Sequence, residues 1–149
     1  MPTALEIRPI AEGDKPAWAP LWQAYLAFYE TALPQEIYDT TFARLTSPDH
    51  PDQSGFLALH EGRAVGLVHY IYHPHNWRLE PVCYLQDLYA DPSVRGTGVG
   101  RALIEAVYAQ ADADGRPSVY WLTQDFNTEA RKLYDRIGTL TPFIKYNRA

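Results

Sequence analysis

Apolar and polar positions change period several times along the chain, and each change marks an element. Ala4–Ile10 alternates as an opening strand. From Asp14 the spacing lengthens, and Trp18, Leu21, Trp22, Tyr25, Leu26 and Tyr29 fall on one broad face of a helix. Asp14 is its predicted N-cap, with Pro16 just inside. Pro34 to about Leu45 reads as a second helix, ended by the turn-rich stretch Ser47–Asp52. Gly55–His60 and Ala64–Tyr72 form a hairpin around Glu61–Arg63, and His73–Trp77 is a loop. Tyr84–Ala90 is a strand that stops at Asp91-Pro92, because proline has no N–H for a ladder and keeps its predecessor out of the helical region. Val99, Leu103, Ile104, Val107, Tyr108 and Ala111 recur at helical spacing, with a stop at Asp114-Gly115 and Pro117 beyond. Ser118–Thr123 is β-branched and aromatic, as a strand should be. Asn127–Ile137 is a helix capped by Asn127, with Ala130, Leu133, Tyr134 and Ile137 inward, and Phe143–Tyr146 is a closing strand. The order β-α-α-β-β-β-α-β-α-β predicts a single mixed α/β domain over residues 1–149, antiparallel at its start and parallel β-α-β at its centre.

Composition narrows the function. Hydrophobic residues make up 46% and charged residues 21%, the balance of a globular chain with a real core. No apolar run is long enough to span a bilayer, and Met1–Arg8 lacks the basic start and apolar stretch of a leader. The single cysteine, Cys83, excludes an intramolecular disulfide and suits a reducing, cytoplasmic setting. A net charge of −5 argues against a general nucleic-acid binder and favours a cationic partner. His69, His73 and His75 are evenly spaced, but no cysteine or well-spaced carboxylate accompanies them. They read as surface or loop histidines, and no metal is expected.

The chemistry concentrates between Tyr84 and Tyr108. A strand, then Arg95 with glycines at 96, 98 and 100, then a helix is the layout of an anion site. Glycines let the backbone approach closely with φ > 0, and the free N–H groups of the new helix converge on one point. A P-loop would need a Lys-Ser or Lys-Thr pair after the glycines, and none follows. The dinucleotide spacing G-x-G-x-x-G fails as well, since its third glycine falls on Leu103 counted from Gly98, or on Arg101 counted from Gly96.

Leu88-Tyr-Ala-Asp-Pro, Arg95-Gly-x-Gly98-x-Gly100 and, some way on, Asn127-x-x-Ala130-x-x-Leu-Tyr134 together resemble the GNAT acetyltransferase superfamily. The element order agrees along essentially the whole chain. Wording around the motifs is similar to the branch containing yeast histone and D-amino-acid acetyltransferases. The resemblance implies a mixed central sheet of about six to seven strands with four helices, splayed where acetyl-CoA binds. It further implies acetyl-CoA as donor, a primary amine of a small molecule or peptide as acceptor, and no metal. A homodimer is also among the expectations, and no nucleic-acid or membrane partner is.

Residue by residue, the resemblance puts the diphosphate of CoA over Arg95, Gly96, Thr97, Gly98, Val99, Gly100 and Arg101. The pantetheine arm runs beside Leu88, Tyr89 and Ala90, one N–H of which receives the thioester oxygen. Asn127 and Ala130 hold the arm from the facing helix, and Arg131 or Lys132 adds charge. Tyr134 is the acid for the departing thiolate. Several family members carry a glutamate base where this chain has Leu122, so Asp87 is the best carboxylate left and Glu80 a weaker second. Asp87, Tyr25 and Tyr29 are the expected acceptor-side residues. Two other readings compete. One is a polyamine or aminoglycoside-type enzyme, although Gln86 stands where polyamine enzymes carry a glutamate. The other is a non-catalytic CoA-binding sensor or partner module, against which Tyr134 counts.

Overall fold

The computed structural model describes residues 5–149. Ala4, the first residue of the predicted opening strand, and the start of the stretch read for a leader lie outside the described residues. The elements run β1 (Leu5–Pro9), α1 (Lys15–Phe28), α2 (Gln35–Thr46), β2 (Gln53–His60), β3 (Arg63–His73), β4 (Val82–Ala90), α3 (Val99–Ala113), β5 (Val119–Tyr120) and α4 (Thr128–Ile137). The sheet order follows the sequence, β1-β2-β3-β4-β5. The first four strands pair antiparallel, and β5 joins β4 in parallel after the α3 crossover.

Local chemistry accounts for most boundaries. Glu61 and Gly62 both have positive φ, 52° and 79°, the two-residue turn whose twist matches a tight hairpin between β2 and β3. Asp14 precedes α1 as expected but does not cap it. Its carboxylate accepts from Ala11 N at 2.7 Å and from the Arg8 guanidinium at 2.7 and 2.8 Å, closing the short turn before the helix. Asn127 does cap α4, its side-chain oxygen accepting from Ala130 N at 3.4 Å.

Each face of the sheet has its own core. Trp18, Leu21, Trp22 and Leu26 of α1, with Phe42 and Leu45 of α2, cover Leu57, Leu67 and Tyr89. Val99, Leu103, Ile104, Val107 and Ala111 of α3 cover Val65, Val68, Cys83 and Leu85, with α4 alongside through Leu133, Tyr134 and Ile137. A bulge in β4 decides which residues face which layer. His69 pairs with Asp87 but Tyr70 pairs with Leu85, so Gln86 is the extra residue. Strict alternation would put Asp87 with Leu85 against α3. The bulge shifts the phase, sending Leu88 and Ala90 to the α3 side and Asp87 and Tyr89 to the α1 side.

The expected six to seven strands are five among the described residues. Ser118–Thr123 pairs only over Val119–Tyr120, because β5 leaves β4 after Tyr84↔Tyr120. Phe143–Tyr146 forms no strand, and Phe143, Ile144 and Tyr146 are exposed. A two-residue edge offers a closing strand almost no ladder to offset the entropy of ordering it. The four helices stand as expected, and no helix among the described residues is long and apolar enough to cross a membrane.

Candidate active site

β4 and β5 part beyond the stacked pair Tyr84 and Tyr120, whose rings lie 4.9 Å apart. From Leu85 onward the β5-facing edge of β4 therefore has no ladder partner among the described residues. Leu88, Tyr89 and Ala90 lie on that open stretch, and the glycine turn closes its end.

The turn is set up residue by residue. Asp91 accepts from Ser93 N at 2.9 Å and from the Ser93 hydroxyl at 2.7 Å, fixing a tight helical turn over Pro92–Val94. Thr97 donates its N–H, at 3.2 Å, and its hydroxyl to the Val94 carbonyl. Gly96 and Gly98 have φ of 82° and 91°, and a Cβ on either would meet no other atom within 4 Å. Glycine is needed there for its backbone angle and for whatever approaches from outside, not for internal crowding. The first helical bond is Ala102 N to Gly98 O at 2.9 Å. The N–H groups of Gly96, Gly98, Val99, Gly100 and Arg101 thus have no backbone acceptor among the described residues. Gly100 plays another part, since a Cβ there would lie 3.4 Å from Leu133, where α4 packs on the start of α3. Arg95 folds back, its Nε donating to Ala90 O at 3.1 Å with its guanidinium 5.8 Å from the Tyr89 ring centre.

On the α1 face, Asp87 Oδ2 lies 2.8 Å from His69 Nδ1. The Tyr25 hydroxyl faces the same carboxylate, and its ionisation is pushed up first by burial and then by the charge of Asp87. Tyr29 and Tyr84 are pushed up by burial and then by Asp87. Tyr134 stands behind them, stacked edge-on against Trp121 at 5.5 Å. Burial, with Tyr29 second, pushes its phenol up to about 12, so it holds its proton at neutral pH and can donate it. Tyr25, Tyr29, Asp87 and Tyr134, separated in sequence, are thus brought to one place.

Other expected residues stand apart. Lys132 pairs with Glu129 on its own helix at 2.9 Å and points to solvent. Arg131 donates to Asp125 O at 2.8 Å. Glu80 pairs with Arg78 at 3.6 Å on the surface before β4, and Leu122 is exposed. The three histidines have separate partners: Trp18 and Asp87 for His69, Tyr120 for His73, the Trp77 N–H for His75. His69 is a core residue, 4% exposed, which corrects the surface reading. The signal in the sequence is that this histidine interrupts a strand buried on both faces, where a polar side chain needs a partner. A cleft of about 650 Å³, lined by Val119, Trp121, Thr123, Tyr134, Leu140 and Phe143 among others, includes no residue of β4 or of the glycine turn.

The Acetyltransferase (GNAT) family profile matches residues 18–139. The chain is 40% identical over 144 residues to the D-amino-acid N-acetyltransferase HPA3 of Saccharomyces cerevisiae, covering 95% of this chain and 89% of that one. It is 26% identical to the uncharacterized N-acetyltransferase YhfO of Bacillus subtilis, covering 95% of each. Among solved structures, the aminoglycoside N-acetyltransferase AAC(6')-Iy in complex with CoA superposes with a TM-score of 0.86 at 20% identity, over 100% of this chain and 97% of that one, a likeness of fold. A motif pair on the right elements, a matching family profile and a close relative agree, and the chain belongs to the GNAT family of N-acetyltransferases.

Proposed function

We propose that this enzyme transfers an acetyl group from acetyl-CoA to the primary amine of a small molecule or peptide, with a singly charged amine such as an amino acid as the preferred acceptor. The observation that carries the reading is the meeting of Asp87, Tyr25, Tyr29 and Tyr134 beside the open edge of β4. The donor fits the residues present, since unpartnered N–H groups at the start of α3 suit a diphosphate and the parted strand edge suits an amide-bearing arm. Bound there, acetyl-CoA supplies an acyl group on a good leaving group.

The chain's own residues do the rest. The turn from Gly96 to Arg101 anchors the diphosphate, and a free N–H between Leu88 and Ala90 donates to the carbonyl oxygen as charge builds on it. Asp87 attracts the ammonium form of the acceptor and takes its proton, directly or through water, so that a neutral amine attacks. Tyr134 gives its phenolic proton to the departing sulfur. Asn127 and Ala130 flank the arm from α4. One carboxylate ringed by three tyrosines suits a single ammonium better than a polycation, which favours a simple amine over an aminoglycoside.

A cytoplasmic setting belongs to the same reading, on the lone buried thiol Cys83. So does a homodimer, because the exposed run Leu140, Phe143, Ile144 and Tyr146 lies beside the short edge strand and a second copy would cover it. Light scattering that gives the mass of one chain removes the dimer. The catalytic reading is tested by a panel of amines with acetyl-CoA, read as free-thiol release and product mass. Acetylated product with at least one small amine is expected. Acetyl-CoA binding without turnover across amino acids, peptides and polyamines would make the chain a sensor instead.

A further inference from the structure

His69 lies in the middle of β3, and both its ring nitrogens are engaged. Trp18 Nε1 lies 2.9 Å from Nε2. An indole N–H can only donate, so Nε2 is the acceptor and the ring proton sits on Nδ1, where it donates to Asp87 Oδ2 at 2.8 Å. Trp18 is 0% exposed, stacked on Trp22 at 5.2 Å and packed against Phe42 at 5.0 Å, so this donor cannot swing away. The three side chains come from α1, β3 and β4, and the bulge at Gln86 sets the last two directly opposite each other.

We infer that Trp18 and His69 are positioning residues for Asp87, holding its carboxylate in one orientation and keeping the imidazole from becoming a cation that would cancel its charge. The inference rests on the reading of Asp87 as the acceptor-side carboxylate. Its second half follows from counting donors. A second proton on His69 would have to sit on Nε2 and point at the Trp18 N–H. Two buried donors would then face each other, and the indole would lose its acceptor. With Nε2 occupied, Asp87 keeps its full charge beside an uncharged ring. His69 takes Oδ2, leaving Oδ1 for the acceptor.

The titratable groups facing the pair are Tyr25 from α1, Tyr29 just past its end, Tyr84 from β4 and, beyond Tyr25, Tyr134 from α4. Tyr38 from α2 packs on the two tryptophans, and β2 brings the backbone of Gly55 to the His69 ring. Burial pushes the ionisation of Tyr25, Tyr29, Tyr84 and Tyr134 up, so none of these four adds charge beside Asp87 and His69.

Three variants and one spectrum test the inference. An asparagine amide stands near the place of Nδ1 and donates without ever becoming charged. His69→Asn should therefore keep kcat/KM for the amine within about threefold, while His69→Leu should lose about tenfold or more, with acetyl-CoA affinity unchanged in both. Trp18→Phe keeps a packed ring and deletes the N–H. Its loss should be about tenfold near pH ~6 and shrink to about twofold near pH ~8.5, because the freed Nε2 takes up a proton in acid. Nitrogen-15 NMR of the wild type needs neither a variant nor turnover, and should show the Nδ1–H tautomer throughout that range. Equal losses in the two His69 variants, a pH-independent loss in Trp18→Phe, or a wild-type His69 that titrates there would each overturn the inference. An Asp87→Asn enzyme with normal amine turnover would instead remove the acceptor reading beneath it, and the inference with it, whatever the histidine spectrum shows.

Discussion

The α1 flank of β4 and the glycine turn at its end are built on opposite rules. On the flank, Asp87 is tied to His69 and His69 to Trp18, and two of the three side chains are fully sunk in the core. At the turn, several N–H groups have no backbone acceptor among the described residues, and Gly96, Thr97 and Gly98 are exposed. A carboxylate that must meet a small amine in one geometry gains from being held before the amine arrives. A long, flexible, multiply charged donor needs a surface of unused hydrogen-bond donors, which the start of a helix supplies without extra side chains. On the proposed reading, rigidity falls where the acceptor is held and open backbone N–H groups fall where the donor is anchored.

Tyr134 stands beside the tyrosines of the α1 flank and is the proposed proton donor to the leaving group, so its loss should be the largest single effect. Tyr134→Phe keeps the ring against Trp121 and deletes the proton donor, and kcat should fall by roughly 10²-fold while acetyl-CoA affinity barely moves. Wild-type kcat would make it a packing residue and leave the departing sulfur without its acid. Gly98→Val breaks the turn alone. A β-branched side chain at φ 91° is strained by about 1–2 kcal/mol, so acetyl-CoA affinity should weaken about tenfold in a folded protein. Unchanged affinity by calorimetry would remove the phosphate reading of the turn.

The smallest effect lies away from both. Hydrogen bonds from Arg8, opposed by burial, hold the Asp14 carboxyl below its usual range. A lowered carboxyl stabilises the fold above the ordinary aspartate range, and that contribution disappears as pH falls through the depressed value. Arg8 is 34% exposed, so the pair is worth at most about 1 kcal/mol. Asp14→Asn should lower Tm by about 2–4 °C at neutral pH, with the difference fading as pH falls below the ordinary aspartate range and kcat unchanged. A Tm deficit equally large in acid would show that the ion pair is not its source.

The turn was legible because its parts are local. Proline, arginine, alternating glycines and a helix cap act within a few residues of one another, and the helical period of Val99–Ala111 orients them. The α1 flank was legible only in pieces. Asp87, Tyr25 and Tyr29 stand out in the sequence as candidates, but nothing local marks His69 as a core residue or links it to the Trp18 indole. The contacts that do so join residues 51 and 18 positions apart, through a bulge that no residue type announces. Phe143–Tyr146 failed for the complementary reason. Its local pattern is that of a strand, but a strand exists only where a neighbour offers a ladder, and β5 is two residues long.

The central claim is that the α1 flank of β4 serves the amine and the glycine turn serves the donor. Asp87→Asn tests it most directly, assayed as thiol release with the amine varied under saturating acetyl-CoA, and then the reverse. The account predicts that kcat/KM for the amine falls by about tenfold or more, less at high pH where the amine is already neutral, while KM for acetyl-CoA stays put. Parallel losses for both substrates, or none for either, would contradict it.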